Sequence, residues 1–325
     1  MLSRASEKTP RFVGSEAAVQ QWAAAQGTVV FARVDAQLTR CAAPPATYAG
    51  LALDRPLIMG IVNVTPDSFS DGGDFLDPAA AIAHGEALIS AGADILDIGG
   101  ESTRPGARMP SVQEEIDRVI PVVAGLRGAG VPLSVDTRRA PVMDAALAAG
   151  ATIINDVSAL TSEPEALPLV AARRAPVVLM HMQGEPGNMQ KNPHYDDALL
   201  DVYDYLEKRV DACVAAGLPR NFICIDPGIG FGKNDAHNLR LMAGLALFRG
   251  LGCPILLGVS RKSLIGRLAQ VENPKERLPG SLALALAGVA RGAHILRVHD
   301  VAETRQALML WSAVEPSAGT LYQRP

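Results

Sequence analysis

Eight times along the chain an apolar run of strand length ends, and a residue able to do chemistry follows at once. The run at 57–62 ends at Asn63, that at 95–98 enters Gly99-Gly100-Glu101, and that at 133–135 ends at Asp136. The next three lead to Asn155-Asp156, to His181 and to Asp226. The last two, at 255–259 and 295–298, lead to Ser260-Arg261-Lys262 and to His299-Asp300. Near-continuous apolar runs suit parallel strands covered on both faces. Eight of them with polar C-terminal ends predict a (β/α)8 TIM barrel whose active site lies at that face. A doubly wound open sheet also alternates strand and helix, but it has no need for all eight ends to converge.

Helices are expected between the runs. Asp77-Pro78 starts the first, with Asp as N-cap and Pro at the first helical position, and Gly92 ends it. In the second, Ile116, Val119, Ile120 and Val123 form a stripe at helical spacing, and further on Leu199, Tyr203, Leu206 and Val210 repeat it. Residues 1–54 lack the rhythm and read as an N-terminal extension, with a helix over 16–25, a strand over 28–34 and a linker over 41–46. The barrel takes 55–325, a length such folds reach as one domain.

A net charge of −4 without a long basic block argues against a nucleic-acid surface. The N-terminal residues carry no apolar signal-peptide core, and no stretch reaches membrane-spanning length. The expectation is a soluble, cytoplasmic protein with no membrane partner. Four cysteines form no CxxC pair, and Cys224, inside an apolar run, reads as a small buried hydrophobe.

The candidate site follows from the strand ends. The first loop, Asn63 to Gly73, is long and polar apart from Phe69, which suits a cover over a flat ligand. The second, Gly99 to Ala107, offers hydroxyls, Arg104 and glycines that allow close approach. Asp136, Asn155 and Asp226 on one face supply donors and acceptors for a planar heterocycle with adjacent ring and amino N–H groups. Singly, each would read as a cap or Asx-turn. The run from Asp226 to Lys233 is not a phosphate-binding P-loop, since Pro227 and Asn234 stand where Gly and Ser or Thr are required. Lys262, Arg297 and His299 add cationic groups beside the last two strands, where barrels often bind phosphate. Arg297 and His299 alternate, so on a regular strand they share a face. His181 has no second ligand at metal spacing and reads as structural or pocket-lining.

These residues resemble the dihydropteroate synthases over roughly 56–312. The match rests on the first two loops, on Ser134-Val135-Asp136-Thr137, Ile154-Asn155-Asp156-Val157 and Leu179-Met180-His181-Met182-Gln183-Gly184. It continues through Asp226 to Lys233, Gly258-Val259-Ser260-Arg261-Lys262-Ser263 and Arg297-Val298-His299-Asp300. The resemblance implies a homodimer that joins 6-hydroxymethyl-7,8-dihydropterin pyrophosphate to 4-aminobenzoate, releasing pyrophosphate by a dissociative displacement. It implies that Asp136, Asn155, Val157, Met180, Asp226, Phe231, Gly258 and Lys262 form the pterin pocket. Asn63, Arg297 and His299 would hold pyrophosphate, with Mg2+ shared between Asn63 and phosphate oxygens. Phe69, Thr103, Arg104, Pro105, Lys262 and Ser263 would form the aminobenzoate side. Sulfonamides, as aminobenzoate mimics, would compete there. The chemistry itself adds that a departing anion leaves a pterin cation, for which Asp67 on the first loop is the candidate stabiliser. Two rivals are a catalytically silent pterin-binding paralogue and a methyl-tetrahydrofolate-binding methyltransferase domain. The latter leaves the first loop, the 260–263 run and the Arg297–His299 pair unexplained.

Overall fold

The structure, a computed structural model, describes residues 14–65, 77–101, 108–185, 187 and 189–314. Two helices come first, α1 (Glu16–Ala25) and α2 (Thr28–Ala42). The strand expected at 28–34 is therefore the first half of a helix. Its β-branched run favours a strand locally, but Val34 and Leu38 pack with Val30 against Val19, Ala23 and Trp22 of α1 at helical spacing. The linker expected at 41–46 likewise begins as the last turn of α2. Gln37 donates to the Tyr203 hydroxyl at 2.9 Å, and Arg33 pairs with Glu207. These contacts lay the helix pair against the outside of the barrel.

A short antiparallel hairpin follows, β1 (Thr47–Tyr48) and β2 (Leu51–Ala52). Tyr48 is fully buried among Leu57, Met59, Ile95, Ile153, Val178, Cys224, Leu256 and Ile295, the inward apolar layer of the barrel. The hairpin thus closes the end of the barrel opposite the polar strand ends.

The barrel strands are β3 (Leu57–Asn63), β4 (Ile95–Gly99), β5 (Leu133–Asp136), β6 (Ile153–Asp156), β7 (Val177–Met180), β8 (Ile223–Asp226), β9 (Leu256–Leu257) and β10 (Ile295–Val298). All pair in parallel in the order β8-β7-β6-β5-β4-β3-β10-β9, and an Ile225–Ile255 bridge closes the ring. Between them run α3 (Pro78–Ala91), α4 (Val112–Leu126), α5 (Ala140–Ala149), α6 (Ala166–Arg173), α7 (Ala198–Ala215), α8 (Asp235–Ala243), α9 (Ser263–Ala269) and α10 (Leu278–Val289). α11 (Val301–Val314) follows β10.

Asp77 caps α3 through the amide of Ala79, and Gly92 ends it at φ 104°, donating to the carbonyls of Ile89 and Leu88. On α7 the expected stripe is buried throughout. On α4 it is rotated. Val119 and Val123 are buried, but Val122, Leu126 and the carboxylate Glu115 accompany them while Ile116 and Ile120 are half-buried. Thr137 donates to Glu115 Oε1 at 2.6 Å and Arg139 lies 3.5 Å from Oε2, which offsets the cost of burying that charge.

Candidate active site

Register brings the strand ends together. Asn63 lies beside Gly99, Gly99 beside Asp136 and Asp136 beside Asn155, while Met180 lies beside Asp226. Because alternate residues share a face, Asp97 points the same way as Gly99 but one layer deeper. Sequence reasoning gave Asp97 no role of its own, since it sits inside an apolar run.

Asp97 is the hub of the mouth. It is fully buried and accepts from Ser134 Oγ at 2.6 Å, Asn155 Nδ2 at 3.0 Å and Arg297 Nε at 2.6 Å. The other end of the Arg297 guanidinium donates to Asp136 Oδ2 at 2.9 Å. One cation thus bridges two carboxylates, and Asn155 is fixed with its carboxamide nitrogen directed inward. Burial, together with the negative charges of Asp97, Asp156 and Glu115, pushes Asp136 up to about 7 despite Arg297.

Across the mouth, Asp226 is buried and its Oδ1 accepts the Gly228 amide at 2.7 Å. The Asx-turn and the pocket therefore use the same carboxylate. Lys262, at the N-cap of α9, lies 4.0 Å above the Phe231 ring, a cation–π contact. Burial lowers Lys262 to about 8. Gly258 forms the wall between Asp226 and Arg297, since a β-carbon there would sit 3.9 Å from Asp226 Oδ2 and 4.0 Å from Arg297 Cβ. Met180 and Val157 are buried, Phe231 is half-buried and Ser263 is exposed.

His299 makes a 3.0 Å contact from Nδ1 to Ser260 Oγ, and Ser260 also accepts its backbone amide. Burial, then Arg297 and Arg261, lowers the imidazole to about 4, so His299 is neutral at pH 7 and offers an N–H rather than a charge. Arg297 and His299 are close enough to interact, yet the guanidinium faces Asp97 and Asp136. Asp67, Phe69, Thr103, Arg104 and Pro105 lie outside the described residues.

The run from Asp226 to Lys233 does not offer its lysine to a phosphate. The Lys233 ammonium is buried, and its four contacts are the carbonyls of His181, Gly228 and Phe231 and the ring nitrogen Nδ1 of His181. His181 is buried beside Lys233 and packs edge-on to Tyr205 at 4.9 Å, the structural place expected for it. Cys224 is fully buried as expected, and all four cysteines are free. Among the described residues, no helix is long and apolar enough to cross a membrane.

A parallel barrel whose mouth sets buried carboxylates and amides against Lys262 and Arg297 is built to grip a small heterocycle rich in N–H groups and carrying negative charge. That defines a pterin-binding class of enzyme, and the family model described as pterin binding enzyme matches residues 59–299. The chain belongs to the dihydropteroate synthase family. It is 53% identical over 269 residues to the dihydropteroate synthase of Neisseria meningitidis serogroup B, covering 81% of this chain and 94% of that one. The solved Xanthomonas albilineans dihydropteroate synthase with 4-aminobenzoic acid superposes with a TM-score of 0.76 at 53% identity, over 82% of this chain and 95% of that one. The Yersinia pestis dihydropteroate synthase in a sulfonamide drug complex gives a TM-score of 0.78 at 49% identity, over 83% and 98%.

Proposed function

We propose that the chain condenses 6-hydroxymethyl-7,8-dihydropterin pyrophosphate with 4-aminobenzoate, giving 7,8-dihydropteroate and pyrophosphate, as a cytoplasmic, sulfonamide-sensitive homodimer. The observation that carries the reading is the convergence of Asp97, Asp136, Asn155, Asp226, Lys262 and Arg297 on one mouth, in a chain so close to known synthases. Asp226 accepts paired pterin N–H groups, and an analogue lacking them would leave that buried carboxylate unsatisfied. Asn155 and Lys262 meet the remaining ring edge, while Met180 and Phe231 pack on its faces.

The bond from the pterin methylene carbon to the pyrophosphate oxygen breaks, and that oxygen keeps the electron pair. The resulting methylene cation is stabilised by delocalisation and by nearby carboxylates, Asp67 of the first loop foremost. The aminobenzoate nitrogen then supplies the pair for the new C–N bond and loses a proton. An aromatic amine is largely neutral at pH 7, so it needs no strong base. Arg297 and the His299 N–H bind the departing pyrophosphate. Asn63 fits a Mg2+ ion. It presents one half-buried carboxamide at the end of β3, and the described residues hold no group of three His, Cys, Asp or Glu able to cage a metal. Mg2+ commonly takes one or two protein oxygens beside substrate phosphates. When bound it would neutralise charge on the leaving group.

Support for the dimer comes from α10. Residues 278–290 contain no charged side chain. A helix this apolar belongs in a covered position, yet Pro279 and Ala283 are exposed, and Leu310 on neighbouring α11 is 66% exposed. Free cysteines fit a reducing compartment. The purified protein should release pyrophosphate only when 4-aminobenzoate is present, and a sulfonamide should compete with it. Release that ignores both compounds would remove the assignment.

A further inference from the structure

The Lys233 ammonium is 1% exposed, and among the described residues none of its hydrogen-bond partners is a carboxylate. Its nitrogen sits 2.9 Å from the Gly228 and Phe231 carbonyls, 2.9 Å from His181 Nδ1 and 3.2 Å from the His181 carbonyl. Three protons thus serve four acceptors drawn from the end of β7 and the loop after β8. Burying an unpaired charge is costly, and an apolar side chain could fill the space. Every group it holds lies next to a pterin-pocket residue. His181 follows Met180, Gly228 donates to Asp226, and Phe231 is the ring beneath Lys262.

We propose that Lys233 is a positioning residue of the pterin pocket: it pins the loop carrying Asp226 and Phe231 to β7, and its charge behind that loop favours the Asp226 carboxylate. The inference rests on the pterin reading given above. The charged groups facing Asp226 are Lys233 from its own loop, Lys262 from α9 and Arg297 from β10, and Cys224 lies below it on β8. Burial raises the Asp226 carboxyl, whereas the Gly228 amide and these three cations lower it. Lys262 and Arg297 face the ligand. Lys233 stands behind the loop, held by three carbonyls and His181 Nδ1, and its charge acts on Asp226 from the side away from the ligand. The groups acting on Lys233 itself are Asp226 and Lys262, and burial lowers it to about 7. His181, lowered to about 2 chiefly by burial and then by Lys233, stays neutral and accepts at Nδ1.

The test is calorimetry of 6-hydroxymethylpterin pyrophosphate, the oxidised analogue, against the full chain and its Lys233→Met variant from pH 5 to 9. In Lys233→Met the affinity at pH 7 should fall at least about tenfold, and its acid-side loss should move to higher pH as Asp226 takes a proton more readily. A purely structural role would not move that limb. Unchanged affinity with an unchanged limb overturns the inference alone. No binding by the wild-type protein at any pH overturns the pterin reading, and the inference with it. Should Lys233→Met fail to fold, reciprocity supplies the second measurement. In protein carrying 15N-labelled lysine, Asp226→Asn should lower the pH at which the Lys233 amine titrates, and an unmoved titration overturns the coupling.

Discussion

Asp97 organises the mouth although it lies beneath it, and its removal has a calculable cost. Asp97→Ala strands three donors, Ser134 Oγ, Asn155 Nδ2 and Arg297 Nε, in a fully buried place. Removing one partner of a buried ion pair costs about 3–5 kcal/mol. Arg297 is 22% exposed and keeps Asp136, so the lower half of that range applies, about 3–4 kcal/mol. Unfolding entropy of roughly 2.1 cal/mol/K per residue gives about 0.7 kcal/mol/K for 325 residues, hence a Tm lowered by about 4–6 °C. Asp97→Asn behaves differently. Its carboxamide oxygen can still face Asn155 and Arg297, while its nitrogen donates to a rotated Ser134 hydroxyl. Hydrogen-bond number is kept and only charge assistance is lost, about 1–2 kcal/mol and a Tm lowered by about 2–3 °C. Scanning calorimetry reads the stabilities and titration calorimetry the pterin affinity, which should drop clearly in Asp97→Ala, where Asn155 and Arg297 lose their shared acceptor, and only slightly in Asp97→Asn. Equal Tm values for Ala and Asn, or both within about 1 °C of wild type, would refute the hub.

Three further outcomes follow from the geometry. A β-carbon at Gly228 (φ 69°) would run into the His181 carbonyl oxygen, so Gly228→Ala should abolish pterin binding by calorimetry, and retained binding would mean the loop can move aside. The Lys262 ammonium, lowered to about 8, loses its charge as pH rises through that value; kcat/KM should fall there, and Lys262→Arg, charged throughout, should lack that fall. Helices α1 and α2 touch α7 and the turn at 245–251 rather than the mouth, so removing residues 1–43 should lower Tm yet leave kcat/KM within about twofold, under ~0.5 kcal/mol of barrel chemistry. Loss of activity by a folded truncation would give the extension a catalytic role.

The barrel was legible because eight buried parallel strands leave an eightfold apolar signature, and register then forces Asp136, Asn155 and Asp226 onto one face. Asp97 was not legible as a hub, since one carboxylate inside an apolar run carries no mark of its partners, though its place two residues before Gly99 fixes its face. Glu115 was hidden for a related reason. A charge on a helix normally faces water, and only Thr137 and Arg139, distant in sequence, let it turn inward. The segment at 28–34 misled because Thr28, Val29, Val30 and Phe31 favour a strand locally, whereas packing against α1 selects a helix. Tyr48, which closes the barrel, lies in a two-residue strand too short to show periodicity.

Substitution takes place at the pterin methylene carbon within this mouth, and running the reaction in 18O-labelled water with 4-aminobenzoate and Mg2+ distinguishes it from cleavage at phosphorus. The expected result is unlabelled pyrophosphate and one 7,8-dihydropteroate for each pyrophosphate released. Label in the pyrophosphate would mean cleavage at phosphorus, and release without dihydropteroate would mean that no condensation takes place; either contradicts the assignment.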